Sequence, residues 1–388
     1  MTAEIAERAA RHGRIAIDTE FVSERRYQAL LCLAQVAVPD PDAEDGVRTE
    51  VLDPLDSLSP EPLAEVLADP EVEVVVHAGR QDIALLRRDW GTEVRNVFDT
   101  QVAAGFLGLG SQEGYESLVS KLLGIRLRGA EGFTRWDRRP LTEQQIAYAR
   151  DDARLLLSLG TEIERRLRDA GRLSWAREEC RALEQSADDR DPERIYLRLP
   201  RLARLRPDQR AVARELVEWR ERTARSMDRP AGNVMPDQAL VELARRAPTS
   251  RQALEDIRGL PSQTVQRRGR QLLEVIARGR RREPPPAPPG APRRDPADAP
   301  LVALAQSLVR HRSQEAGVAV DLIATQSELA SLVEKARGRG GGDELRVTRG
   351  WRARLVGNEL GELLAGRRSI AVGPDGRLQV ESTGDRAP

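Results

Sequence analysis

"RIAIDTEF" (residues 14–21) is an apolar, β-branched run that carries two acids. In an extended strand side chains alternate between faces, so Asp18 and Glu20 project from the same one. Two carboxylates that close repel each other and resist burial. The stretch therefore needs something positive to hold. It also predicts where the sheet starts. "ALLCLAQVAV" (29–38) reads as a second strand and "TEVLDPL" (49–55) as a third, with spacers short enough for an antiparallel meander. "VEVVVHAG" (72–79) is a continuous apolar run, expected of a strand buried on both faces. A short helix is predicted before it in "SPEPLAEVLADP" (59–70). Another follows it in "RQDIALLRRDWG" (80–91), with Ile83, Leu86 and Trp90 on one stripe and Gly91 closing it. "NVFDTQ" (96–101) predicts one more short strand, and helical patterns dominate from residue 115 onward. The expected class is α/β with a mixed sheet.

Two further acidic spots accompany the first strand. Asp82 falls in the first helical turn after the buried strand. "YARDD" (148–152) lies in a helix whose start is marked by Thr142 and Gln145, a capping-box pair. Tyr148 and Asp152 are i and i+4 on one helix face, and Asp151 at i+3 is a near neighbour, so spacing leaves the two aspartates open. Hard divalent ions prefer carboxylate oxygens. Two such ions clamp the attacking and leaving oxygens of an in-line phosphoryl displacement. Four carboxylates from three distant segments would offset their charge, and a tyrosine hydroxyl could orient the attacking water. Each spot also has a plainer reading: Asp18 and Glu20 as edge-strand solubilisers, Asp82 as a favourable first-turn acid, and Tyr148 as a packing residue.

The bulk numbers bound the rest. The chain has 388 residues, enough for two or three domains, and its 62 Lys+Arg balance 62 Asp+Glu. The balance is uneven along the chain: residues 1–200 carry a net −11, residues 201–283 a net +9 and residues 284–388 a net +2. An acidic module followed by a basic one suits a metal-using head beside a polyanion-binding neighbour. Only Lys121 and Lys335 are lysines, and arginine forks well onto phosphate. Two cysteines, Cys32 and Cys180, make neither a disulfide framework nor a CxxC pair, and three histidines leave zinc the less favoured metal. The N-terminus lacks an apolar signal core and no run approaches a membrane span, so a cytoplasmic protein with no membrane attachment is expected.

"ADDRDPER" (187–194) is a polar break. Beyond it Val212, Leu216, Trp219 and Met227 form one helix stripe, and "PDQALVELARRAP" and "TSRQALEDIRG" read as two short helices with Asp237 and Thr249 as caps. "QRRGRQLLEVIARG" (266–279) is a further helix. "EPPPAPPGAPRRDPADAP" (283–300) holds eight prolines and predicts an extended spacer. The chain is helical again to about residue 370, and "AVGPDGRLQV" predicts a hairpin around Pro374, Asp375 and Gly376.

"IDTEF", "VVHAGRQDIALL" and "YARDDARLLL" resemble the three motifs of the DEDD 3′–5′ exonucleases, in the subclass with a tyrosine. "NVFDTQVAAGFLG", "GYESLVSKLLGIRL" and "FTRWDRRPLTEQQIAYARDDARLL" narrow the resemblance to the ribonuclease D family, with Arg135 a departure where an acid often precedes the tryptophan. Residues 213–248 and 257–276 resemble an HRDC domain, and "GWRARLVGNELGELLAG" (350–366) resembles a second, weaker one. The resemblance implies a ribonuclease H-like exonuclease domain at 1–190, an HRDC domain at 203–282, a proline-rich linker at 283–300 and an HRDC-like helical domain at 301–385. It implies Asp18, Glu20, Asp82 and Asp152 as ligands of two divalent ions, Mg or Mn, and resolves the third motif toward Asp152. Tyr148 would orient the water. Thr19 and Phe21 flank the acids and are expected to touch the terminal nucleotide, and Trp136 could stack on a base or fill a core. The implied activity is 3′–5′ exoribonuclease, releasing nucleoside 5′-monophosphates from RNA with a single-stranded 3′ end, tRNA precursors among them. A monomer is expected. A DNA exonuclease, or an inactive RNA-binding scaffold, would be the alternatives.

Overall fold

The computed structural model describes residues 1–127, 135–188, 190–286, 295–339 and 344–383. Helix α1 (Thr2–His12) leads into β1 (Arg14–Val22), β2 (Leu30–Pro39) and β3 (Val47–Leu52). After α2 (Glu61–Leu67), β4 (Glu73–Val76), α3 (Arg80–Trp90) and β5 (Val97–Asp99) follow. The sheet order is β3-β2-β1-β4-β5. β1, β2 and β3 pair antiparallel, whereas β4 runs parallel to both β1 and β5. The mixed sheet is as expected. The third strand is not placed as expected: β3 starts at Val47, because its register with β2 pairs Val47 with Pro39, and it ends at Leu52. Asp53 leaves the ladder to accept two hydrogen bonds from the Arg139 guanidinium, both at 2.5 Å.

The alternation in β1 sorts two cores. Ile15 and Ile17 pack with α1, α2 and α3 residues such as Ile5, Leu63 and Ile83. Ala16 faces the opposite layer, with Val75, Phe98 and the leucines Leu155, Leu156, Leu157 and Leu159. That layer is α4 (Thr100–Ala104), α5 (Tyr115–Leu123), α6 (Glu143–Asp169) and α7 (Leu173–Cys180). Helix α6 can lie close to the sheet because of Gly160. A Cβ there would sit 2.9 Å from Val75 Cγ1, so a larger residue would push the helix outward.

A helical unit follows: α8 (Pro192–Leu197), α9 (Pro207–Ser226), α10 (Ala231–Val234), α11 (Asp237–Arg246), α12 (Arg251–Glu255) and α13 (Ser262–Gly279). Val212, Leu216 and Trp219 are buried in its core as the stripe predicts, while Met227 lies just past the end of α9 and is only partly buried. The two expected caps shift by one residue. Pro236 precedes α11, leaving the Asp237 carboxylate to accept from Arg220 at 2.6 Å. Ser250, not Thr249, caps α12. Of the proline spacer, residues 287–294 lie outside the described residues, and helical structure has resumed by Ala299.

The last unit contains α14 (Ala299–Ala316), α15 (Val320–Ile323), α16 (Gln326–Ala336), α17 (Gly350–Arg352), a π-helical turn (Ala353–Gly357) and α18 (Asn358–Leu364). It closes with the hairpin β6 (Arg368–Val372) and β7 (Leu378–Ser382). It shares a core with the sheet layer. Trp351 is fully buried, edge-on to Phe106 at 5.0 Å between centroids and stacked on Trp175 at 5.5 Å. Buried Arg352 pairs with Glu179 of α7. Among the described residues no helix is long and apolar enough to cross a membrane.

Candidate active site

Asp18 and Glu20 sit on the β1 face that α6 covers. A register shift between Glu20 and Phe21, opposite Leu33 and Leu31 of β2, re-aims the strand just past the second acid. Helix α6 begins with the Thr142–Gln145 capping box and brings Asp152, in its third turn, to these acids. One carboxylate oxygen from each of Asp18, Glu20 and Asp152 lies within 4.8 Å of the others. Asp151 is exposed and pairs with Arg154 at 3.5 Å, so the helix turns Asp152 inward and its neighbour outward.

Asp82 is buried in the first turn of α3 and approaches from the other side of β1. Its carboxylate accepts a hydrogen bond from the Thr19 hydroxyl, and it repels the charges of Asp18 and Glu20. Thr19, expected at the nucleotide, is therefore buried and committed to Asp82. Phe21 lies half-buried just past the register shift.

The electrostatics are those of buried acids in mutual conflict. Burial, then the neighbouring acids, raises Asp18 well above the usual carboxylate range. Burial, then Asp152 and Asp82, pushes Glu20 up to about 8. Burial also raises Asp82 and Asp152 to about 6 each, opposed in Asp152 by a hydrogen bond from Tyr148. No cation is paired with Asp18, Glu20, Asp82 or Asp152 among the described ion pairs. An all-oxygen donor set, half-buried and mutually repelling, fits a hard divalent ion.

Tyr148 bonds the Asp152 carboxylate through its hydroxyl, and burial next to Asp152 raises its pKa strongly. It is a neutral donor, not a base. Trp136 holds it from behind: only 4% exposed, its ring stacks on Tyr148 at 6.2 Å and an interplanar angle of 29°. Of the two roles open to Trp136 in the sequence, the structure shows core packing. Arg139 pins that segment, donating to the carbonyls of Trp136 at 2.7 Å and Cys32 at 3.0 Å.

Sequence reasoning missed three residues here. The Tyr115 hydroxyl donates to the Asp152 carbonyl at 2.6 Å, fixing the turn that carries the acid. His77, whose pKa burial lowers, packs its ring 5.5 Å from Tyr115 and places Nδ1 2.9 Å from Thr100 Oγ1. Asp99 is 1% exposed and caps α4. Its signal was available, since an Asp before a helical run is a cap.

Comparisons with known proteins agree with this geometry. The family model described as 3′-5′ exonuclease matches residues 1–168, and the HRDC domain model matches residues 209–276. A protein of Acidiphilium cryptum named ribonuclease D is 36% identical over 376 residues, covering 95% of this chain and 92% of its own. One of Gluconacetobacter diazotrophicus with the same name is 36% identical over 381 residues, with 95% and 92% covered. Among solved structures, the Escherichia coli RNase D, described as an exoribonuclease involved in structured RNA processing, superposes with a TM-score of 0.82. It is 28% identical and covers 94% of this chain and 96% of its own.

Proposed function

This chain belongs to the ribonuclease D family of 3′–5′ exoribonucleases, and from that membership we propose how its residues act, on what, and where. It hydrolyses RNA from the 3′ end. The observation that carries the residue assignment is the convergence of Asp18, Glu20 and Asp152 from two distant segments, with Asp82 against them through Thr19.

Asp18, Glu20, Asp82 and Asp152 would hold two divalent cations, Mg²⁺ or Mn²⁺. When bound, these supply charge stabilisation and an activated water for in-line phosphodiester hydrolysis. Asp152 is held on both sides, by Tyr148 at its carboxylate and Tyr115 at its carbonyl. The Tyr148 hydroxyl, neutral and buttressed by Trp136, orients the attacking water by hydrogen bonding. Thr19 acts by orienting Asp82, and Phe21 is the β1 side chain left to meet the terminal nucleotide. The acidic exonuclease unit repels RNA, so the basic 201–283 segment supplies the sequence-blind phosphate contacts and a steep salt dependence. The substrates are RNAs with single-stranded 3′ tails, tRNA precursors among them. The enzyme acts as a monomer in the cytoplasm, where its two buried free cysteines stay reduced.

The test is product analysis on a 3′-tailed tRNA precursor, beside DNA of matching sequence. Nucleoside 5′-monophosphates should appear with Mn²⁺ or Mg²⁺ and stop in EDTA and in Asp18→Asn. Undiminished hydrolysis in EDTA would refute the metal reading, and preferential cleavage of the DNA would favour a repair exonuclease.

A further inference from the structure

We infer that Asp99 is a positioning residue for the Asp82 side of the metal site, acting through the turn that joins β4 to α3. The inference rests on the reading of Asp82 as a metal ligand.

The Asp99 carboxylate is almost completely buried and has no cation against it among the described ion pairs. It is satisfied instead by four backbone N–H groups. Oδ1 accepts from Ala78 at 3.1 Å, Gln101 at 2.8 Å and Val102 at 3.2 Å, and Oδ2 accepts from Gly79 at 2.9 Å. Two of these cap its own helix, α4. The other two reach across to the chain leaving β4, where neither helix nor strand supplies a partner. Asp99 is itself held from behind, its N–H donating to Cys180 Sγ at 3.3 Å.

The turn needs holding. Ala78 has φ +53°, a left-handed conformation that a residue with a Cβ adopts at a cost. Gly79 admits no side chain, since a Cβ there would lie 2.5 Å from Val76 Cγ2. Ile83 N–H returns to the Gly79 carbonyl at 2.9 Å, so Gly79 sets the first turn of α3, and Asp82 stands in that turn. The Asp99 carboxylate is thus the group outside the turn that bonds both Ala78 and Gly79, the latter three positions before the acid it aims. It also lies close enough to Asp82 to repel its charge. For a stable apo protein that is a disadvantage; beside a cation it is an attraction. Outer groups of this kind change metal affinity by about 10–100-fold.

The test uses the full-length protein stripped of metal. Mn²⁺ binding is measured by calorimetry, beside the Mn²⁺ concentration for half-maximal RNA hydrolysis. Asp99→Asn keeps the volume but presents an NH₂ to a backbone donor and removes the charge. It should weaken Mn²⁺ binding and raise the activating concentration about ten-fold or more, while kcat at saturating Mn²⁺ returns to within a few-fold of the parent. Adding Ala78→Gly should restore part of the affinity, because glycine takes the left-handed conformation unaided. If Asp99→Asn does not fold, Gly79→Ala perturbs the same turn without touching Asp99 and should show the same loss. Parent-like Mn²⁺ binding in the folded variant, with only a lower melting temperature, would overturn the inference. Asp82→Asn separates the two readings. If it loses Mn²⁺ while Asp99→Asn does not, only the role of Asp99 falls. If it too binds normally, Asp82 is no ligand and the premise falls with it.

Discussion

Replacing Glu20 by Gln should stabilise the metal-free protein and destroy the enzyme. Burial and the charges of Asp152 and Asp82 push Glu20 from 4.5 to about 8. Between those values the folded chain keeps a proton that the unfolded chain has released. This group's contribution to stability therefore falls as pH rises through the window. At about 1.4 kcal/mol per pKa unit the whole shift corresponds to about 5 kcal/mol at pH 8. Solvent around a half-buried side chain, and proton sharing with the other acids, reduce this to about 1–3 kcal/mol. Gln carries none of that penalty. In EDTA at pH 8, Glu20→Gln should melt about 3–8 °C higher, for a cooperative unit of about 170 residues. At pH 4.5 the advantage should shrink below about 0.5 kcal/mol. Saturating Mn²⁺ should reverse the order, because the parent gains the ion's binding energy. RNA hydrolysis should fall about a thousand-fold or more. Thermal melts at the two pH values, with and without Mn²⁺, read all of this. A variant no more stable than the parent in EDTA at pH 8 would show that the acids are not in conflict in the metal-free protein, and would refute the reasoning.

Tyr148→Phe should lower kcat about 10–100-fold with Mn²⁺ affinity held within about three-fold, since a water-orienting donor is lost but no ligand; a large loss of Mn²⁺ affinity would instead make it part of the metal shell. Asp151→Asn should keep activity within about two-fold while Asp152→Asn abolishes it, and equal losses in the two would contradict the turn of α6 that separates them. Tyr27→Ala should cost about 3–5 kcal/mol and open residues 190–206 to limited proteolysis, with hydrolysis of a short RNA oligonucleotide little changed. An unaltered digestion pattern would show that Tyr27 does not hold the helical unit in place.

What the sequence discloses follows from which interactions are local. Alternation in "RIAIDTEF" needs only the strand's own geometry, so the shared face of Asp18 and Glu20 was readable, as was the start of α6 from Thr142 and Gln145. The side of α6 on which Asp152 falls depends on how the helix rolls against Val75, which Gly160 permits, and spacing alone could not choose it. Place in sequence puts Thr19 beside the acids without saying where its hydroxyl goes, and it leaves Trp136 open between a base and a core. In the fold the Thr19 hydroxyl goes to a carboxylate 63 positions away and the Trp136 ring stacks on Tyr148. Periodicity reports that a face is apolar but not what covers it. Nothing in "SERRYQ" shows that Tyr27 is 2% exposed in the core of the α8–α13 unit, with its N–H donating to Asp228 at 3.2 Å and the Arg190 guanidinium 4.7 Å from its ring centroid. That contact has a consequence for the site. Tyr27 lies in the loop between β1 and β2, five residues past Val22, so the strand that carries Asp18 and Glu20 is tethered beyond its end to the basic helical unit. At about 3.3 Å per residue, Glu20 and Tyr27 can be no more than about 23 Å apart along the chain. The basic helical unit is thus packed on a residue within about 23 Å of Glu20 along the chain, a residue that lies outside the acidic cluster itself.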